Sequence, residues 1–351
     1  MANLDLGSKI EASQPFDAPS FSRRLLTWYK ANHRDLPWRA SRDPYRIWVS
    51  EIMLQQTRVA AVIEYYHEFL RRFPTVEKLA NAREPSVLAA WSGLGYYRRA
   101  RMLHAAAKMI VREYGGKFPN TSEQLRALPG VGRYTAAAVA SIAFDEPVAV
   151  VDGNVERVLQ RLSGNRLAGE QRWNAAKYLL DAEHAGDFNQ AIMELGAIVC
   201  TPRAPTCLSC PIVDLCATRG ETTTRNSAPQ NKRVVHYSLI CRGDDQSEVF
   251  LVRRHSDAAL MPGMWELPEI FDTNGTKEEL FTLRHSITVT DYTVRVWRGS
   301  SPTQLQGKWV RTEKLPTIAL TGLARKILRK AAELRDIAQH TASPTSASSK
   351  I

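Results

Sequence analysis

Apolar residues recur at spacings of three and four through residues 21–29, 47–56, 59–69, 97–114, 122–128 and 134–144, the pattern of helices that bury one face. Start signals stand where those segments need them. Asp43-Pro44 sets a capping carboxylate before a first-turn proline, and Thr121-x-x-Gln124 has the order of a capping box. Residues 20–218 are therefore predicted to be mostly helical. Residues 219–233 are polar and poor in core-forming side chains, which predicts a linker. Beyond it, residues 234–241, 249–253, 288–297 and 308–310 are short, β-branched and partly alternating, so strands are expected, with a closing helix at 320–334. A smaller α+β domain over 234–337 follows from this texture. Residues 1–19 read as an N-terminal extension, and the Ser-, Thr- and Ala-rich 338–351 as a disordered tail.

Length and charge narrow the picture. The 351 residues suit two or three domains. With 47 Lys and Arg against 36 Asp and Glu, the net charge is +11, which favours a phosphate-rich partner, nucleic acid first, over acidic ones. Such a charge also suits a plain solvated surface, so alone it decides nothing. No apolar run reaches the eighteen or so residues of a membrane span, and residues 1–14 lack the order of a secretory signal. A reducing, cytoplasmic setting is expected, with association to the nucleoid through DNA.

Four of the five cysteines fall within seventeen residues, as Cys200-x6-Cys207-x2-Cys210-x5-Cys216. Four sulfurs suit tetrahedral zinc or one [4Fe–4S] cluster. Zinc more often takes two short knuckles, and a single knuckle flanked by longer gaps fits the cube better. Disulfides are the remaining option, disfavoured in a reducing compartment.

Two further segments carry candidate chemistry. Leu128-Pro-Gly-Val-Gly-Arg-Tyr-Thr135 joins two helical segments. Gly130 and Gly132 permit positive φ, and the N–H groups opening the next helix, from Arg133 on, form an anion site. That is the layout of a helix–hairpin–helix, which grips a DNA phosphate without reading sequence. Glu51 has Ile47, Trp48, Ile52 and Leu54 as neighbours, so its carboxyl is expected against apolar surface, where desolvation favours a general acid near neutral pH. Asp152, in Val150-Val-Asp-Gly-Asn-Val155, is placed to cap the helix over 155–162, and a cap holds a carboxylate still.

The stretch from His33 to Cys216 resembles the endonuclease III superfamily of DNA glycosylases, and most closely the adenine DNA glycosylases of the MutY type. The matching pieces are Arg34-Asp-Leu-Pro-Trp-Arg39, Trp48-Val-Ser-Glu-Ile-Met-Leu-Gln-Gln-Thr57, Gly93-Leu-Gly-Tyr-Tyr-Arg98, Leu128–Thr135, Val151-Asp-Gly-Asn-Val155, Asn189-Gln-Ala-Ile-Met-Glu194 and the cysteine spacing. The resemblance implies a six-helix barrel module at about 37–147, an iron–sulfur module, and duplex DNA carrying an A:8-oxoguanine or A:G mispair as partner of a monomer. It implies that Glu51 protonates the departing adenine, that Asp152 stabilises the cationic sugar, that Asn154 orients water and the carboxylates, and that Tyr134 hydrogen-bonds near Glu51. Leu36, Trp38, Arg39 and Glu194 match the lining of the adenine pocket, and Gln56 and Tyr96 the residues that wedge into the stack as the base is flipped. Gly130, Gly132 and Arg133 match the phosphate grip. Tyr134 stands where strand-nicking relatives carry a lysine, so base removal without cleavage is implied.

Residues 234–335 resemble the Nudix-like C-terminal domain of the same enzymes, best at Leu260-Met-Pro-Gly-Met-Trp-Glu-Leu-Pro268. Asn274–Leu280 lacks the acidic pattern of a hydrolytic Nudix motif, so no pyrophosphatase activity is expected. The family senses 8-oxoguanine through a Phe-Ser-His loop, and here Ile287, Thr288 and Val289 replace the trio. Ile287 is expected to wedge and Thr288 to donate a hydrogen bond, while Val289 cannot replace a histidine. Two other functions compete: a superfamily glycosylase for another mismatched or oxidised base, and a non-catalytic iron–sulfur DNA-binding protein.

Overall fold

The computed structural model describes residues 17–220, 231–243, 246–258, 260–271, 278–287, 290–299 and 305–342. Thr288, most of the expected linker (221–230), most of the N-terminal extension (1–16) and the end of the expected tail (343–351) lie outside the described residues. Two compact units emerge: one of residues up to 81 together with 102–225, the other of 82–101 together with 226–351.

The first unit is helical. It comprises α1 (Ala18–Asn32), α2 (Pro44–Leu54), α3 (Val59–Arg72) and α4 (Val76–Ala80). After α5 (Glu84–Trp91), which belongs to the other unit, and α6 (Arg98–Tyr114), inside which the division falls, it continues. The remaining helices are α7 (Ser122–Leu125), α8 (Arg133–Phe144), α9 (Gly153–Ser163), α10 (Glu170–Leu179) and α11 (Ala185–Ile198). The expected caps form. Asp43 accepts the Tyr45 N–H at 2.8 Å, and Thr121 Oγ1 accepts the Gln124 N–H at 3.3 Å. From Tyr45 to Met53 nearly every residue of α2 is buried apart from Arg46, because α3 and α8 pack against it. Alanines supply much of α8, and short side chains let neighbouring helices approach closely. α11 in turn packs against α1, α8 and α9.

The second unit carries the strands: β1 (Asn231–Leu239), β2 (Cys241–Arg242), β3 (Glu248–Arg253), β4 (Trp265–Glu266), β5 (Glu269–Ile270), β6 (Glu279–Ile287), β7 (Thr290–Arg298) and β8 (Gly307–Arg311). One sheet runs β5-β1-β7-β6, with β1 and β7 parallel and the other pairs antiparallel. The other runs β2-β3-β4, with β8 also on β3. Their apolar core includes Tyr237, Leu251, Leu267, Val294 and Val296, joined by Leu323, Ile327 and Leu328 of α12 (Gly322–Ala342).

Two expectations are corrected here. Residues 279–287 form a strand that the sequence reading did not place, and Ile287 pairs with Thr290 across a hairpin. Phe281, Leu283, His285 and Ile287 alternate with more exposed neighbours along it, the two-residue period of a half-buried strand. Lys326 and Lys330 of α12 donate to the Arg284 and Thr282 carbonyls, covering the open edge of β6. The second correction is that helix continues through residues 338–342 of the expected tail. Ala338-Gln-His-Thr-Ala342 contains no helix breaker.

Candidate active site

Glu51 sits in the last full turn of α2 and Tyr134 in the first turn of α8, so the packing of these helices brings the two together. The Tyr134 hydroxyl donates to Glu51 Oε2 at 2.8 Å and lies 3.3 Å from Met193 Sδ. Only 6% of Glu51 is exposed. Burial pushes its carboxyl up to about 7; the Tyr134 hydrogen bond opposes the rise, the Asp152 charge adds to it, and the Arg39 charge opposes it. Burial, together with the two carboxylates, lifts Tyr134 well above its usual range, so it remains a neutral donor.

Asp152 occupies the N-cap of α9. Its Oδ1 accepts the Val155 N–H at 2.7 Å and its Oδ2 the Asn154 Nδ2 at 3.0 Å. Burial raises its pKa, against hydrogen bonds from Val155 and Asn154 and the Arg157 charge, all of which favour the ionised form. Asn154 is itself held. Arg157 Nη2 donates to Asn154 Oδ1 at 2.8 Å and to the Gly196 carbonyl at 2.7 Å, while its Nε donates to the Cys200 carbonyl at 2.7 Å. The amide oxygen is thereby engaged, which turns Nδ2 toward Asp152. Gly196 permits this packing, since a Cβ there would lie 2.7 Å from Asn154 Cβ.

Arg157 and Gly196 escaped the sequence reading. A glycine deep inside a helix costs about 1 kcal/mol relative to alanine, which was the available signal for a close approach. Arg157 carried none, since an arginine three residues after Asn154 reads as an ordinary exposed helix position.

Glu194 is 1% exposed and fully engaged. Arg34 donates to it through its backbone N–H, Nε and Nη2 at 2.9, 2.8 and 2.7 Å, and Arg39 through Nη1 and Nη2 at 3.2 and 2.9 Å. Burial alone would raise the Glu194 pKa, but these donors overcome it and hold the carboxyl down at about 2. Leu36 and Trp38 are buried in the short turn between Arg34 and Arg39.

Gln56 and Tyr96, both exposed, adopt φ of 57° and 49°. Left-handed backbone is uncommon for such residues and concentrates at functional turns. Gly130 also takes positive φ, at 75°, and a Cβ there would meet Met102 Cβ at 2.5 Å. Gly132, in contrast with expectation, is extended at φ −87°, with nothing within 4 Å of where its Cβ would stand. Its use is open space at the start of α8, which has no side-chain cap. The Arg133 guanidinium pairs with Glu170 at 2.5 Å and stacks 3.9 Å from the Trp173 ring centroid.

The four clustered cysteines lie on the turns after α11, and none is in a disulfide. Burial raises the Cys210 thiol to about 11, with the Ile212 N–H opposing and Cys200, Cys216 and Cys207 adding to the rise, so the four share one neighbourhood. Arg161 Nη1 lies 3.3 Å from Cys200 Sγ. Among the described residues no three His, Cys, Asp or Glu side chains converge tightly enough to hold a single metal ion. Four sulfurs in one neighbourhood are a donor set that fits a [4Fe–4S] cluster.

The family model for the HhH-GPD superfamily of base excision DNA repair proteins matches residues 49–175. An adenine DNA glycosylase of Mus musculus is 49% identical over 215 residues, covering 57% of this chain and 42% of that protein. One of Arabidopsis thaliana is 40% identical over 295 residues, covering 70% and 46%. One of Schizosaccharomyces pombe is 33% identical over 336 residues, covering 76% and 72%. The match thus spans less than half the length of the mouse and plant relatives. Among solved structures, a thermostable thymine-DNA glycosylase matches with TM-score 0.55 and 33% identity, over 57% of this chain and 96% of that one. A non-covalent endonuclease III–DNA complex matches with TM-score 0.51 and 24% identity, over 57% and 94%, a likeness of fold.

Proposed function

This chain belongs to the adenine DNA glycosylase family, within the HhH-GPD superfamily of base excision DNA repair proteins, and on that premise we propose that it hydrolyses the N-glycosidic bond of adenine mispaired with 8-oxoguanine or guanine in duplex DNA. The observation that carries the reading is Glu51: a buried carboxyl with a pKa lifted to about 7, held by one neutral hydroxyl, beside a second carboxyl. A group so poised holds a proton to give near neutrality. Glu51 protonates the flipped adenine, weakening its bond to the sugar. Asp152, whose hydrogen bonds and Arg157 favour the anion, offsets the positive charge that develops on the deoxyribose until water adds at the anomeric carbon and loses a proton. Asn154 holds Asp152 in register, and Tyr134 holds Glu51.

Tyr134 cannot form an imine, so the reaction ends at an abasic site. In this reading the helices of about 37–147 form the six-helix barrel, and the Arg34–Glu194–Arg39 network stiffens the wall of the base pocket with Leu36 and Trp38. The N-terminus of α8, with Gly130, Gly132 and Arg133, receives a phosphate. Gln56 and Tyr96 fill the space the base vacates. The sheet-bearing part of the second unit is Nudix-like and meets the opposite base, with Ile287 at the end of β6. Cys200, Cys207, Cys210 and Cys216 would hold a [4Fe–4S] cluster, which would stiffen the loop carrying Arg203, and no part of the hydrolysis passes through it.

The test is a panel of duplexes bearing A:8-oxoguanine, A:G, A:C, T:G or thymine glycol, treated with alkali after incubation. Breaks at adenine that need alkali are the expected result. The likeness to a thymine-DNA glycosylase makes T:G the informative rival. Breaks only at thymine would replace adenine as the substrate, and alkali-independent breaks trapped by borohydride would make the protein a lyase.

A further inference from the structure

The turn that presents Tyr96 is held unusually hard, and by residues remote in sequence. Tyr96 is 46% exposed and left-handed, between Gly95 at φ 73° and Tyr97, while Gly93 also has positive φ, at 114°. An aromatic residue in that backbone region persists only where its surroundings impose it. Some of the restraint is local. Trp91 Nε1 donates to the Gly95 carbonyl at 3.1 Å, and Arg99 Nη2 donates to the Leu94 and Gly95 carbonyls at 3.3 Å each. The Arg99 guanidinium also stacks under the Tyr96 ring, 5.4 Å from its centroid.

The two ends of the turn are tied elsewhere. Ser92 Oγ and Tyr97 Oη both donate to one acceptor, the Leu320 carbonyl, at 2.7 and 2.9 Å. Arg325 Nε donates to Ser92 Oγ at 3.0 Å, which leaves the Ser92 hydroxyl hydrogen for Leu320. Ser92 is 0% and Tyr97 3% exposed, so these bonds form away from solvent. The acceptor is fixed in turn: Trp265 N–H donates to the Ala319 carbonyl and Thr321 N–H to the Trp265 carbonyl, both at 2.9 Å. Arg101 adds a bond to the Pro262 carbonyl at 2.8 Å. The segment 319–325, itself bonded to Trp265, thus braces the 92–97 turn from within the same compact unit.

We propose that Leu320 and Arg325 are positioning residues for base extrusion: by pinning both ends of the 92–97 turn through Ser92 and Tyr97, they keep Tyr96 in the strained, outward conformation in which it wedges into the duplex. The proposal rests on the reading of Tyr96 as that wedge. It gives the sheet-bearing part of the chain a task independent of sensing the opposite base.

The test uses the full chain and two variants, Tyr97→Phe, which removes one oxygen, and Arg325→Met, with Arg325→Lys as the conservative substitution. Hydrogen exchange of the 93–97 amides reads the turn without reference to activity, and exchange in β1 and β7 reports whether the fold is intact. Exchange at 93–97 should quicken about tenfold, the order expected from losing one buried hydrogen bond, while β1 and β7 stay protected. Single-turnover release of adenine paired with 8-oxoguanine should slow about tenfold. Release of adenine opposite an abasic site should slow less than about twofold, since an unpaired base costs little to extrude. Arg325→Lys should restore most of both. Unchanged exchange in the two variants overturns the brace. Faster exchange with normal release, or with equal slowing on paired and unpaired adenine, overturns its role in extrusion. If the wild type releases no base from any duplex, the glycosylase reading fails instead, and the exchange measurement still decides whether the brace exists.

Discussion

In the proposed reaction Glu51 is the acid, and its burial has a consequence for stability as well as activity. Its folded pKa of about 7 lies above the ordinary 4.5, so the native state binds this proton more tightly than the unfolded chain does. The favourable contribution is complete below about pH 4.5 and disappears as pH rises through 7, a swing of roughly 3 kcal/mol. Glu51→Gln keeps a partner for the Tyr134 hydroxyl and removes the titration. The variant should therefore be more stable than the wild type in urea at pH 8, with the gap closing toward pH 4.5. A gap independent of pH would mean that Glu51 is not held in apolar surroundings. This much was legible beforehand, because Ile47, Trp48 and Ile52 surround Glu51 at helical spacing. Arg157 was not: its contacts with Asn154, Gly196 and Cys200 depend on α9 meeting α11 and the turn beyond it.

At the scale of elements, Asp152 caps α9 and, in the proposed reaction, offsets the charge on the sugar, duties that substitution can separate. Asparagine caps a helix nearly as well as aspartate, whereas alanine costs about 1 kcal/mol. Asp152→Asn should keep the wild-type melting temperature within a degree or two and lose most of the adenine release. Asp152→Ala should lose both. If Asp152→Asn remains active, the carboxylate charge has no part in the reaction. The helices around this site followed from the three-and-four spacing and from caps at Asp43, Thr121 and Asp152, signals that are local by nature. Strand β6 is not expected from the sequence despite its alternation, because Ile287, Thr288 and Val289 align with the lesion-sensing loop. Its pairing with β7 and its Lys326 and Lys330 cover are decided by distant partners.

The division of the whole molecule was the least legible feature. Residues 82–101 continue the helical texture of their neighbours, yet they belong to the compact unit that holds the sheets. Ser92 and its acceptor Leu320 are 228 residues apart in sequence, a distance over which no periodicity speaks. The cysteines show the opposite case, since their spacing alone marks the four side chains that share one neighbourhood. Cys207→Ser should lose bound iron and inorganic sulfide on elemental analysis and weaken duplex binding, with the sheet-bearing unit still folded by circular dichroism. Full iron content in that variant would remove Cys207 from the ligand set. Full duplex affinity after iron loss would show that the loop needs no cluster to hold its shape.

The most direct measurement is the single-turnover rate of adenine release from an A:8-oxoguanine duplex, for the wild type and for Glu51→Gln, across pH 5 to 9 at saturating protein. The wild-type rate should be greatest where Glu51 is protonated and fall as pH passes about 7. Glu51→Gln should bind the duplex with near wild-type affinity and release no adenine at any pH. A Glu51→Gln protein that releases adenine at the wild-type rate, with the same pH profile, would contradict the assignment of Glu51 as the acid.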